Sequence, residues 1–198
     1  MRITAIKQQV KNHSRYSVYI DDTFSFGIGE SALIESGIKS GQEITAAELS
    51  AFKDSAELDN AYNKTLNLIA RRLRSEWEIR QYLQTKKFEP EQIDQVVARL
   101  YARQWLDDSA FARMWVENRR SLKSASARRI MQELKAKHVK EEIIRQVLEE
   151  DRHEDNAVLQ NLIERKRKQT RYQDDQKLMA YLVRQGYNYQ DIKNAMCI

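Results

Sequence analysis

The chain has 198 residues, of which 41% are hydrophobic and 32% charged, with a net charge of +5 and a mean hydropathy of −0.74. This suits a thin protein rich in surface, built on one core or on several small ones. Cys197 is the single cysteine and no apolar run approaches about 18 residues, which excludes an intramolecular disulfide and a membrane-spanning helix and makes the reducing cytoplasm the expected compartment.

Residues 1–45 read differently from the rest. Tyr16 to Ile20 and Thr23 to Ile28 are β-branched and aromatic runs with Asp21-Asp22 between them, which predicts a β-hairpin. Residues 2–10, with Ile3, Ile6 and Val10, can supply a third strand. Glu30 to Ser36 reads as one or two helical turns ended by Gly37. Thr45-Ala46-Ala47-Glu48 has the spacing of a capping box, in which the Thr hydroxyl and the Glu carboxylate each satisfy a free N–H. Helix is expected from there on. Four of the five glycines precede residue 42, none lies between Gln42 and Gln185, and Pro90 is the only proline. Sheets joined by tight turns rarely manage without glycine, whereas helices joined by short polar turns do.

A threefold internal repeat organises the remainder. Ile79, Leu83, Phe88, Ile93 and Val97 are followed 51 residues later by Ile130, Leu134, Val139, Ile144 and Leu148. Another 48 residues on come Leu178, Leu182, Tyr187, Ile192 and Met196. Each set has offsets 0, 4, 9, 14 and 18. A step of four keeps two residues on one helix face, and the two steps of five carry the chain through a turn into another helix. A longer helix precedes each pair, with Leu66, Ile69 and Leu73 as its apolar residues in the first unit. The corresponding sets are Phe111, Trp115 and Val116 in the second unit and Leu159, Leu162 and Ile163 in the third. Ser75, Ser126 and Asp174 sit at aligned positions as N-caps, and Glu89-Pro90 opens the closing helix of the first unit. Asp107-Asp108 is read as capping the second unit's first helix rather than as a metal or catalytic pair. Gly186 falls where a left-handed residue ends a helix, and Lys87 and His138 hold that place in the other units. The expected fold is all-α: a tandem array of three three-helix repeats after a small N-terminal β-hairpin and helix segment. The expected divisions are 1–45, 46–106, 107–150 and 151–198.

The stretch Leu106-Asp107-Asp108-Ser109-Ala110-Phe111-Ala112-Arg113-Met114-Trp115, with Arg119 downstream and Glu133-Leu134 closing the next helix, resembles the signature of the RecX family. Arg184 to Ile192 is similar to that family's last unit and Arg71 to Ser75 to its first, so the resemblance covers residues 59–198. The N-terminal part looks like the β-containing extension of longer members. Two glycines usual in the family are replaced, by Ser124-Ala125-Ser126 and by His138 before Val139. The resemblance implies a regulator of RecA, generally an inhibitor, that lies in the groove of the RecA–DNA filament and limits its extension and strand exchange. It also implies weak binding to single- and double-stranded DNA with little sequence preference.

The residues themselves carry a compatible pattern. Residues 1–58 hold 6 Lys/Arg and 8 Asp/Glu, whereas residues 59–198 hold 28 and 21. Arg72, Lys123 and Arg171 each stand seven residues before their unit's first apolar marker. Arg119 and Arg120 align with Arg167 and Lys168. Arg71 and Arg74 extend the first cluster, Arg128 and Arg129 the second, and Arg165 and Lys166 the third. Cations at helix C-termini complement the helix dipole, but that accounts for one or two per helix and not for Arg165 to Lys168 with Arg171. A face for a polyanion or an acidic protein is the other reading. Trp77, Trp105 and Trp115 are expected in helix packing rather than as stacking platforms. His13, His138 and His153 show no metal-ligand spacing, and there is no phosphate-binding loop or nucleophile elbow, so no cofactor, metal or enzyme chemistry is expected. The expected partners are the RecA filament and DNA, with no membrane, for a monomer. A sequence-independent DNA-binding repeat protein acting without RecA is the alternative.

Overall fold

Asp21 and Asp22 both take left-handed φ values, 47° and 64°. A two-residue hairpin turn requires that conformation, and Asp tolerates it better than most residues. The turn joins β2 (Arg15–Ile20) to β3 (Thr23–Gly29), and β1 (Ile3–Gln8) pairs with β2, giving an antiparallel sheet in the order β1-β2-β3. The computed structural model describes residues 1–151 and 155–197. The side chains of Lys123 and Asp155 lie outside the described set, as does His153. Ile3, Val18, Ile20 and Ile28 form the buried face of the sheet. Val10 follows β1 and is exposed, so the third strand is shorter than residues 2–10.

The sheet passes into α1 (Glu30–Ser36), ended by Gly37 at φ 64°, and then α2 (Ala46–Ile69). Thr45 Oγ1 accepts the Glu48 N–H at 3.2 Å and Glu48 accepts the Thr45 N–H at 2.8 Å, the reciprocal cap expected. Buried Asp59 on α2 accepts from Asn63 Nδ2 at 3.0 Å. A Cβ at Gly29 would stand 2.3 Å from its Oδ2, so any larger residue there would have to displace this buried carboxylate. Burial pushes the Asp59 carboxyl up, and nearby Arg99 and Arg15 pull the other way.

The apolar face expected for this first long helix is corrected. Leu66 and Ile69 are half-buried, and Leu73 lies beyond the helix and is exposed. The residues α2 buries are Ala56, Asp59, Ala61, Tyr62 and Thr65. Leu49, Phe52 and Ala56 pack with the sheet core, while the helix also runs against α4 (Pro90–Ala102). A helix serving two neighbours at different azimuths does not keep one apolar stripe.

Helices follow to the end of the described chain, and no strand occurs among the described residues after β3. They are α3 (Glu76–Thr85), α4, α5 (Asp108–Lys123), α6 (Ala127–Ala136), α7 (Glu141–Glu150), α8 (Asp155–Arg167), a 3-10 turn (Thr170–Tyr172), α9 (Asp175–Arg184) and α10 (Tyr189–Met196). Fourteen of the fifteen repeat markers are buried, and Met196 is partly buried against its cluster. The second set shares a core with Phe111, Ala112 and Val116, the third with Leu159, Leu162 and Ile163.

The chain divides into two compact units, one of Met1–Arg72 with Arg80–Trp105 and the other of Leu73–Ile79 with Leu106–Ile198. Within the second, the repeat is joined by repeated contacts. Ser75 Oγ donates to the Lys137 carbonyl at 3.2 Å, and Ser126 Oγ donates to the Gln185 carbonyl at 2.9 Å. Each N-cap serine thus satisfies an orphan carbonyl at the end of the next repeat's middle helix while receiving its own helix's N–H. Lys87, His138 and Gly186 all have left-handed φ, at 63°, 54° and 90°. A Cβ on Gly186 would come 2.6 Å from Ser126 Oγ, so a side chain there would displace that hydroxyl as well as strain the backbone. His138 and Ser124, at φ 54° and 46°, hold a backbone that favours glycine, at about 1 kcal/mol each.

Candidate functional site

The two aspartates of the Asp107-Asp108 pair act on different helices. Asp107 Oδ1 accepts the N–H groups of Ser109 and Ala110, capping α5. Asp108 Oδ1 accepts the Glu76 N–H at 2.8 Å, capping α3 from outside its own repeat. Burial pushes the Asp108 carboxyl up, in spite of that bond. The pair is therefore built into folding, and no group of three or more His, Cys, Asp or Glu gathers as a metal site among the described residues.

The thirteen basic residues separate by what they touch. Arg120 is 7% exposed, donates to Asp151 at 2.6 and 2.8 Å, and donates to the Ala125 carbonyl at 2.6 Å. It belongs to the core of its repeat and leaves the candidate surface. Ala112, Val116 and Arg120 stand at four-residue steps on α5, so helical spacing put Arg120 on the buried face. Arg119 is half-buried, pairs with Glu133 and stacks 4.5 Å from the Trp115 ring. Arg129 lies 3.6 Å from Glu133 and donates to Gln185 Oε1 at 2.7 Å. Arg165 reaches Ser124 Oγ at 3.3 Å. Lys166 sits over Tyr172 and Tyr181, at 5.3 and 4.8 Å, and Arg167 pairs with Asp175 and the Gln173 carbonyl. Arg74 is 3.8 Å from Glu78. Arg71, Arg72, Arg128, Arg165, Lys168 and Arg171 are exposed, so each repeat keeps at least one cation on its surface, and Arg171 also lies 5.7 Å from the Tyr172 ring. Lys123 ends α5 with its side chain outside the described set.

Glu133 gathers several of these contacts. It accepts from Arg119 Nε and from Trp115 Nε1 at 2.9 Å, with Arg129 beside it. Burial raises its carboxyl, but the bonds from Arg119 and Trp115 outweigh that and hold it below the ordinary glutamate value of 4.5. A carboxyl lowered on folding contributes stability present above its unfolded pKa and lost as pH falls through the folded one. The wild type is therefore expected to lose stability as pH drops below 4.5, and Glu133→Gln to flatten that acid-side slope. Urea midpoints measured from pH 6 to pH 3, unchanged in slope by the substitution, would contradict it.

Two tryptophans pack as expected. Trp115 bonds Glu133, and Trp77 stacks on His138 with centroids 4.9 Å apart. Trp105 does not: it is 55% exposed just past the end of α4, with Tyr101 42% exposed on α4 itself. Arg99 stacks on Tyr62 at 4.0 Å and Arg103 at 5.8 Å. Tyr101 and Trp105, four residues apart, are both exposed.

A small antiparallel sheet leading into tandem three-helix repeats, tied by serine caps and carrying recurrent cations, defines a helical-repeat protein. Comparison with known proteins gives the family. Residues 1–45 match the regulatory protein RecX N-terminal domain, residues 61–100 the first RecX three-helix domain and residues 107–148 the second. The regulatory protein RecX of Listeria welshimeri is 32% identical over 200 residues, covering 98% of this chain and 74% of the relative. That of Halalkalibacterium halodurans is 31% identical over 202 residues, covering 98% and 76%. A crystal structure of regulatory protein RecX superimposes with a TM-score of 0.76 at 23% identity, covering 100% of this chain and 99% of that one. RecX from Lactobacillus salivarius gives 0.64 at 17% identity, over 70% and 94%. The chain belongs to the RecX family of regulatory proteins.

Proposed function

We propose that this protein is a non-enzymatic regulator of RecA that binds the RecA–DNA filament and limits its extension and strand exchange, acting as an inhibitor. Family membership over nearly the whole chain carries the reading. The cations exposed in each repeat support it, because a helical filament repeats its own acidic and phosphate groups along its length. Its own contact with single- or double-stranded DNA is weak, salt-sensitive and largely indifferent to sequence, since arginine and lysine on helix ends can meet phosphates but present no base-reading set. It works as a cytoplasmic monomer without a cofactor. No described helix is long and apolar enough to cross a membrane.

The test is a pull-down on RecA–DNA filaments against bare DNA at physiological salt, with inhibition of strand exchange as the readout. Reversing Arg72, Arg128, Lys168 and Arg171 to Glu is expected to leave helicity intact, since surface charges typically change folding by within about 0.5 kcal/mol. It is expected to weaken inhibition by tenfold or more, about 1.4 kcal/mol, through like-charge repulsion at several contacts. A folded quadruple variant that inhibits at wild-type potency removes these cations from the contact surface. A wild type that ignores filaments removes the whole reading.

A further inference from the structure

Ser75 and Ser126 are buried, and each donates to a carbonyl of the following repeat, that of Lys137 at 3.2 Å and that of Gln185 at 2.9 Å. A second polar contact lies beside each of these bonds. Lys137 Nζ donates to Glu78 at 2.7 Å, and Arg129 Nη1 donates to Gln185 Oε1 at 2.7 Å. A joint between repeats is therefore made of two unlike halves. One is the first turn of a middle helix, which gives a hydroxyl proton and, three residues on, a side chain that suits its opposite number. The other is the end of the next middle helix, which gives a carbonyl.

The third repeat carries the same turn with different chemistry. Asp174 aligns with the two serines, and Lys177 aligns with Glu78 and Arg129. Asp174 Oδ1 accepts the Lys177 N–H at 2.9 Å, so the serine's capping role is kept. Its donating role is lost, because a carboxylate has no proton to give. Asp174, Asp175, Gln176 and Lys177 are all exposed. The first repeat displays the complementary half. Lys86 and Lys87 occupy the places of Lys137 and His138 in the second repeat and of Gln185 and Gly186 in the third, and both are exposed. Two unlike patches that fit each other can link copy to copy without limit. In the register of the internal joints, however, Asp174 would set its carboxylate against the Lys86 carbonyl. Lys177 would set its ammonium against that of Lys86.

We propose that Asp174 and Lys177 close the third repeat's docking face to the first repeat of a second copy, and so keep molecules of this protein from joining repeat to repeat. This deepens the reading of the protein as a monomer that acts on a filament. Copies bound side by side on one filament are held at a high effective concentration, where even a weak joint would link them. Specificity against such a partner is built from an unfavourable contact as much as from a favourable one, and these two residues supply it while leaving helix α9 capped.

The test is sedimentation equilibrium of the wild type, of Asp174→Ser/Lys177→Glu, and of that double variant with Lys86→Glu added. Serine still caps the helix, so circular dichroism should not change. The double variant is expected to self-associate at least about tenfold more tightly than wild type, and Lys86→Glu, by restoring a like-charge pair, to abolish the gain. A folded double variant no more associated than wild type overturns this inference alone, as does a gain that survives Lys86→Glu. A wild type that is already an oligomer overturns it together with the monomer reading. The same chemistry is tested inside the molecule by Ser126→Asp against Ser126→Asn, which match in size and both cap a helix. Only the aspartate sets a charge against the Gln185 carbonyl, so amide exchange in α9 and α10 should be about tenfold faster in Ser126→Asp than in Ser126→Asn. Equal exchange in the two overturns the proposal even if the double variant fails to fold.

Discussion

Replacing Arg120 with glutamate is expected to lower the stability of the second compact unit by about 3–5 kcal/mol. The side chain of Arg120 is 5% exposed and that of Asp151 13%, so the pair is held away from solvent. The guanidinium also donates to the Ala125 carbonyl in the turn between α5 and α6. Reversal would set a carboxylate against Asp151 and leave that carbonyl without this donor. Both are costs of burial rather than of surface charge. Arg120→Met combined with Asp151→Leu should recover much of the loss, because removing both charges costs less than stranding one. Thermal and urea melts of the three variants measure this. An Arg120→Glu protein as stable as wild type would return Arg120 to the surface.

Arg120 also shows where reading the sequence stops. The threefold apolar pattern recovered the repeat because each set recurs at the same offsets, and helical spacing is fixed by the backbone. The caps at Thr45, Ser126 and Asp174 and the left-handed residues Lys87, His138 and Gly186 were legible because their geometry is local. Asp108 was read as a cap, but its target, the Glu76 N–H, lies 32 residues away and no local rule points there. Basic residues are ambiguous for a related reason: a guanidinium is long enough to turn inward to a carboxylate or outward to solvent. Arg119 and Arg120 are adjacent on α5, yet one stacks on Trp115 and the other enters the core. Trp105 failed in the opposite sense. Tryptophan is buried on average, so an exposed one becomes visible only in the fold.

Leu134→Ala is expected to cost about 2–5 kcal/mol, the range for emptying a leucine site that cannot collapse. Leu134 is fully buried on α6 in a cluster with Phe111, Ile130, Val139, Ile144 and Leu148. These come from all three helices of the repeat, so the vacated volume borders several rigid surfaces, and closing it would require moving helices rather than one side chain. Met196→Ala, at the last repeat marker, is the matched control. Met196 is only partly buried and has a flexible side chain, so its loss should stay near about 1 kcal/mol. Urea unfolding of both variants, compared at unchanged slope, separates the two sites. Equal midpoints for wild type and Leu134→Ala would mean that the offsets shared by the three repeats do not mark the packed core.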